Sequence, residues 1–492
     1  VRTQGLGLFW LLMGRVTFYF AAALLVPFAA ALYWHESFAL TAAFLFSAVF
    51  SALLGSAFTY HARHHFQQLT LREGVFFMTL VWPLAGFIGM LPFWLSGALP
   101  DFTTAFFEGI SALTTTGLTD FGLIDGERAG VPQSLLLWRS LLSWLGGLSF
   151  VMILVTVLPH VSGCFGMTLT ARQMIYFSPV WNRMRTSMRQ GAAIYAVVTL
   201  LAILLFLLAG LKPFLAVTQA FFTISSGGGP FFSFSDYNSP ALELATGFVM
   251  ILSCVNLLLC WKAWDIRRPL LLLQDTELRV FFFIALGAGA ILSLHFAGNN
   301  VMAPLDAVRC GFFDAVSFLS TNGYFFGSMD GWSDFDRMML LSLPLIGGCM
   351  GSAAGGIKVL RIMILMKISW AGLRQTLHPH MVVSIRLDGL PVAAKIVGRI
   401  LSYFFLYFVA FAVFSLVLSL SDMSLMQAMS LTVGCLTSTG ATAALYGIAD
   451  LSAFPDWVRF VCSLLMILGR IEIFSFLVFI ELISRHTTQR HW

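Results

Sequence analysis

Charge is what this chain has least of. Asp, Glu, Lys and Arg make up 10% of its 492 residues against 59% hydrophobic, whereas soluble domains average about 25% charged. With a mean hydropathy of +0.87, the chain cannot cover its apolar surface in water, which excludes a soluble globule and leaves an integral membrane protein. Paired cysteines are missing too. The seven, at 164, 254, 260, 310, 349, 435 and 462, form no CxxC pair and no metal-ligand spacing, so they read as packing residues. His61, His64 and His65 flank Arg63 and read as a solvated helix exit rather than a metal site. No P-loop and no GxGxxG on a strand is present, so the chain is not expected to be an enzyme or to carry a cofactor, and any ATP or NAD control must come from another chain. The net charge of +5 gathers in no single patch, which argues against nucleic acid. The first apolar run, Gly5 to Leu32, is too long for the core of a secretory leader and counts as a spanning helix. A start at Val1 suggests a trimmed terminus.

What the chain does have is a series of apolar runs of roughly 20 residues, each long enough to cross a bilayer. The first run and Phe38 to Tyr60 form a hairpin within residues 1–70. A set of long helix, short apolar segment, Ser/Thr/Gly stretch and long helix then occurs four times, over 71–165, 186–270, 275–375 and 388–485. The short segments carry the repeat: "FFEGISALTTTG" ends at Gly117, "AVTQAFFTISSG" at Gly227, "FFDAVSFLSTNG" at Gly323 and "MSLTVGCLTSTG" at Gly440. The first and third share Phe-Phe, an acid (Glu108, Asp314), a serine six residues before the glycine and a leucine four before it. "SSGGGPF" leaves the choice between Gly227 and Gly228 open.

A dozen helical residues reach only ~18 Å against a bilayer core of about 30 Å, so each short segment must enter and turn back. Non-helical backbone at that depth survives only when buried or lining a wet cavity. Charge tests the topology independently. The segments between repeats and at the C-terminus hold 17 Lys/Arg against 6 Asp/Glu, and the opposite side 6 against 16. The positive-inside rule puts the former in the cytoplasm. The expected fold is therefore all-α: ten spanning helices, both termini inside, and four parallel helix/re-entrant loop/helix repeats around one pore.

Backbone carbonyls replace a cation's hydration shell without committing a full charge, glycine lets successive carbonyls turn, hydroxyls add oxygens, and a helix C-terminus pointing inward favours a cation. The candidate filter residues are Thr114, Thr115, Thr116 and Gly117; Ile224, Ser225, Ser226 and Gly227; Ser320, Thr321, Asn322 and Gly323; and Thr437, Ser438, Thr439 and Gly440. A single TTTG would be a turn or cap. Four at matching places in matching modules favour a filter.

The segments "LREGVFFMTLVW", "FFEGISALTTTGLT", "LLLWRSLLSWLGGL", "GGCMGSAAGGIKVLR" and "LGRIEIFSFLVF" resemble the potassium-translocating subunits of bacterial Trk systems, in the Trk/Ktr/HKT superfamily, over nearly the whole chain. The N-terminal hairpin favours the Trk branch. The resemblance implies a one-chain pseudo-tetramer, usually a homodimer, in the bacterial cytoplasmic membrane, moving potassium as its substrate. It also implies one selectivity-determining glycine per loop and a cytoplasmic nucleotide-binding regulatory subunit. In plant relatives a serine at the first of these positions accompanies sodium permeation; here all four are glycine. Basic segments around Arg183 to Arg189 and Lys367 to Arg386 are plausible docking surfaces.

From Asp336 to Trp370 runs a segment too long for one crossing, in which Gly347, Gly348, Gly351, Gly355 and Gly356 with Ser352 fill six of ten positions. Each glycine costs a helix up to ~1 kcal/mol, so a break is expected. The resemblance assigns the break to an intramembrane gate. Lys358, Arg361 and Arg470 are ionisable groups at membrane depth and hence functional candidates. Arg470 and Glu472, two apart on a helix, point to different faces, so Arg470 is expected to face the pore. Lys358 and Arg361 are placed to snorkel to the cytoplasm. Glu108 and Asp314 are expected to start their short helices, as favourable caps. The leading function is a gated, potassium-conducting pore. The rival is a secondary transporter coupling a cation to protons or sodium by alternating access, though that class favours inverted repeats and midplane acids.

Overall fold

Apolar length decides which segments become rods that reach across a bilayer. In the computed structural model, which describes residues 7–62, 71–121, 131–156, 184–228, 234–237, 239–268, 272, 274–299, 301–326, 329, 331–378, 380, 385–387, 390–392, 394–471 and 473–488, seven helices meet that test: Gly7–Tyr33, Phe38–His61, Glu73–Leu95, Gln133–Met152, Arg189–Leu208, Thr276–Gly298 and Ile396–Ser421. Two further pairs, Pro240–Cys254 with Leu259–Asp265 and Asp456–Ile471 with Phe476–Ser484, qualify together but bend by 97°, which gives up to nine. The tenth crossing expected from the sequence falls on the glycine-rich segment. It is split into Asp334–Ile346 and Val359–Leu377. The chain is a multi-pass membrane protein, helical among the described residues except for a two-residue antiparallel ladder, Arg386–Leu387 with Leu390–Pro391.

Four helices too short to cross, Phe102–Leu113, Pro213–Ser225, Pro304–Leu319 and Leu425–Thr437, each follow a long one, Leu71–Leu95, Met184–Leu208, Thr276–Gly298 and Ala394–Leu418 respectively. Their starts are set locally. Proline occupies the first turn of the second and third, where its missing N–H costs nothing. In the fourth, Ser424 and Gln427 form a reciprocal capping box. Glu108 and Asp314 do not cap, contrary to expectation. They lie well inside their helices, because the helices begin earlier, after Asp101 and Ala303.

The hairpin helices approach through Gly14 and Gly55, where a Cβ on Gly55 would stand 2.7 Å from the Thr17 hydroxyl. The hairpin is tied to the first module by Leu8 N donating to Glu73 Oε1 at 3.2 Å and by Ser134 N donating to Glu36 Oε1 at 3.2 Å. One apolar core joins hairpin, first module and fourth module, from Phe20 and Phe44 through Trp138 to Leu465. Outward faces are apolar and exposed (Phe38, Leu208, Phe283, Leu420), as contact with lipid tails requires. Ion pairs clasp neighbouring modules on the side of the short-helix starts: Arg459 Nε to Asp120 Oδ2 at 2.6 Å, and Arg309 Nη2 to Glu243 Oε1 at 2.6 Å. Burial pushes the Asp120 carboxyl above the usual carboxylate range, and the Arg459 hydrogen bond offsets part of that rise.

Candidate functional site

The four short helices end in one backbone turn. An N–H reaches back five residues to a carbonyl in each: Thr116 to Ser111 (2.9 Å), Gly227 to Phe222 (2.8 Å), Asn322 to Ser317 (3.0 Å) and Thr439 to Gly434 (2.8 Å). The preceding residue is left-handed every time: Thr115 at φ 58°, Ser226 at 56°, Thr321 at 60° and Ser438 at 56°. This is the helix-ending motif in which a six-residue loop satisfies terminal carbonyls, here built on hydroxyl residues instead of glycine. The turn fixes the register that "SSGGG" left open. Gly227 stands where Thr116, Asn322 and Thr439 stand, so Gly228 is the counterpart of Gly117, Gly323 and Gly440. Gly117, Gly228 and Gly323 share positive φ (82°, 57° and 70°), and Gly440 instead opens a one-turn helix at φ −57°.

The loops meet in a closed circuit. A Cβ on Gly117 would lie 2.6 Å from the Gly227 carbonyl oxygen, one on Gly228 2.8 Å from that of Asn322, and one on Gly323 2.6 Å from the Ala441 Cβ. Gly440 N closes the circuit by donating to Thr116 O at 2.6 Å. Every non-glycine residue of the expected filter is at most 2% exposed. Four helix C-termini, each the negative end of a dipole, thus converge with hydroxyls and carbonyls at one point.

Modules one and three repeat further contacts. Glu108 accepts from Asp120 N at 3.1 Å, and Asp314 from Phe326 N at 3.1 Å, twelve residues on in both. These buried acids staple the returning chain to its helix. Glu108 also binds Thr119 Oγ1 at 3.0 Å and the Arg139 guanidinium.

Under the circuit sits the break. Backbone at Gly347, Gly351, Gly356 and Lys358 is left-handed. Gly355 N donates to Thr321 Oγ1 at 2.9 Å, and a Cβ on Gly355 would overlap the Thr437 carbonyl oxygen. A Cβ on Gly348 would stand 2.6 Å from that of Ala354, and Ser352 bonds Cys349 O at 2.6 Å, so the break is folded on itself. Glu277 anchors its edge by accepting from Met350 N at 2.6 Å. Arg470, 3% exposed, donates to Ala353 O at 2.9 Å and to Thr115 Oγ1 at 2.7 Å, joining the break to the first loop. Glu472 lies outside the described residues. Lys358 and Arg361 do not snorkel. They are 2% and 0% exposed, since Lys358 bonds the Ala354 carbonyl beside Phe150 and Arg361 stacks 4.2 Å over Tyr403, contacts that hold a cation away from water. Of the basic docking segments, Lys367, Arg374 and Arg386 are exposed. Arg183 lies outside the described residues, as do the side chains from 184 to 188.

Sequence reasoning missed Arg139, Glu277 and the bend at Val255 and Asn256. Arg139 was findable, being a charge inside the apolar run "LLLWRSLLSW". The bend had no such signal.

Four short helices whose ends meet among buried backbone and hydroxyl oxygens, beside a broken helix, are an arrangement suited to a membrane protein that passes cations. The chain belongs to the TrkH family of cation transport proteins, whose family profile matches residues 37–488, and it is accordingly a transport protein rather than an enzyme. It is 30% identical over 488 residues to the Trk system potassium uptake protein TrkH of Vibrio parahaemolyticus, covering 95% of this chain and 96% of that one. It is 29% identical over 475 residues to the Trk system potassium uptake protein TrkG of Escherichia coli K12, covering 94% and 96%. The crystal structure of the potassium transporter TrkH from Vibrio parahaemolyticus superposes with a TM-score of 0.82 at 26% identity, over 97% of this chain and 98% of that one.

Proposed function

We propose that this chain carries potassium into the cell through a selective, gated pore on the axis the four loops surround. The observation that carries the reading is the single helix-ending turn, repeated four times, with each loop in contact with the next around a closed circuit. In this reading the four modules, 71–165, 186–270, 275–375 and 388–485, form a pseudo-tetramer, with ten crossings once the broken segment is counted. The filter is Thr114 to Gly117, Ile224 to Gly228, Ser320 to Gly323 and Thr437 to Gly440. The gate is Gly347 to Gly356 with Lys358 and Arg470. The names of the relatives, all potassium uptake proteins of Trk systems, support potassium as the ion. The charge asymmetry supports both termini lying inside, and the resemblance to Trk subunits supports a homodimer in the bacterial cytoplasmic membrane. A cytoplasmic nucleotide-binding regulatory subunit would dock on the exposed basic surface of Lys367, Arg374 and Arg386.

The test is flux of potassium, rubidium and sodium into liposomes holding the purified protein, with Gly117→Ser alongside. Potassium should lead, without dependence on a proton gradient. The serine variant should admit more sodium, because its side chain would press on the Gly227 carbonyl. Flux that requires a proton or sodium gradient would favour the coupled transporter, and unchanged permeability ratios would remove Gly117 from the filter.

A further inference from the structure

Two equivalent peptides in the loops face opposite ways. In a trans peptide the carbonyl and the following N–H point to opposite sides. After Gly323, the Tyr324 N–H donates back to Ser317 of its own short helix, so the Gly323 carbonyl is turned away from that helix. After Gly117 the arrangement is reversed. The Gly117 carbonyl accepts from Arg139 Nη2 at 3.3 Å, and the Leu118 carbonyl accepts from the same nitrogen at 3.2 Å and from Ser111 Oγ at 2.5 Å. Leu118 N accordingly faces the fourth loop, 2.7 Å from where a Cβ on Gly440 would stand. The guanidinium that holds this orientation is 0% exposed and fixed by Glu108 through Nε. Among the described residues Asp314, at the matching place in module three, binds Cys310 Sγ and Phe326 N and no guanidinium.

From this we infer that Arg139 is a positioning residue for potassium binding: it holds the Gly117 carbonyl back from the ion path, so that loop one withholds a glycine oxygen that loop three presents. The inference rests on the filter reading above. Glu108 orients the guanidinium, and the two carbonyls occupy its Nη2 edge. A charge-assisted hydrogen bond of this kind outweighs a neutral one, so the peptide turns toward the axis only when that bond is given up. Arg139 therefore sets how strongly the mouth of loop one binds a cation.

Arg139→Lys keeps a positive charge for Glu108 but loses the planar fork that reaches the carbonyls. In liposome flux the variant should reach half-saturation at about tenfold lower potassium, the worth of one lost charged hydrogen bond, with a changed potassium-to-sodium ratio. A purely structural ion pair predicts wild-type values for both, and that result in a folded Arg139→Lys protein overturns the inference. Should this variant fail to fold, the Glu108→Gln/Arg139→Gln double variant, which buries no unpaired charge, takes its place with the same two readouts. Gly117→Ser separates the levels. If it alters selectivity while the Arg139 variants do not, only the positioning role fails; if it too is silent, the filter reading fails with it.

Discussion

Gly355→Ala offers the sharpest test of the gate, because it changes one methyl group at the contact between the break and the fourth short helix. Gly355 has no left-handed backbone to strain, so the alanine is acceptable except for space. Its Cβ would overlap the Thr437 carbonyl oxygen, which belongs to a helix end and has little room to retreat. The Gly355 N–H keeps its bond to Thr321 Oγ1, so the substitution acts by steric pressure alone. Overpacking of this kind costs about 1–3 kcal/mol. If the seated break is the closed state, that cost falls on the closed state and raises the open-to-closed ratio roughly 5- to 150-fold. Basal potassium flux in liposomes without any cytoplasmic partner should rise accordingly, up to the ceiling of full opening. A break that merely packs helices together predicts the reverse sign: a strained fold, a lower melting temperature and less flux. A monodisperse Gly355→Ala protein with wild-type or reduced basal flux would refute the gate.

Two further outcomes follow from named contacts. Arg470→Ala removes the links to Ala353 O and Thr115 Oγ1, so basal flux should rise at least tenfold, with about 1.5–3 kcal/mol for each hydrogen bond to a charged group; unchanged flux with a destabilised protein would make the arginine structural. Asp120 gives a pH signature outside the spanning helices. Its folded-state pKa is raised, chiefly by burial, so the stability it contributes is complete below the unfolded value of about 4 and is lost as pH rises through the folded value. Melting temperature against pH should fall through that window in the native protein and be flatter in Asp120→Asn, and parallel profiles would show that this carboxyl does not govern it.

The parts of this architecture that were legible in sequence are those written in local composition. Four short apolar segments before hydroxyls and glycine became four short helices, and five glycines in ten residues became a break. Local signals misled where the segment quoted was shorter than the helix. "FFEGIS" places Glu108 near a beginning, yet the true start lies at Phe102, so a supposed cap became a staple for the returning chain. The register of the second loop was closed to composition, since three adjacent glycines look alike until the Gly227 to Phe222 hydrogen bond decides between them. The burial of Lys358 and Arg361 depends on Phe150 and Tyr403, which come from other modules. No window around the basic residues contains them.

The likeness among the four short-helix ends is therefore deeper in space than in sequence. Gly146 and Gly469 sit in the helices that follow the first and fourth loops, the inner helices Gln133–Thr156 and Asp456–Ile471, and a Cβ on either would overlap a short-helix carbonyl, Leu113 O and Leu436 O, each leucine lying four residues before its loop glycine. A small residue is demanded at both sites by the same close approach of an inner helix to a helix end. At the corresponding carbonyl end of the fourth short helix, Gly355 meets Thr437 O in the same manner. The break thus seats against a helix end by the same close approach that the inner helices use to brace the short ones. If the break is the gate, that shared geometry accounts for its close fit: the receptor surface is one the fold already builds for permanent packing, and the glycine-rich backbone would be the side that moves.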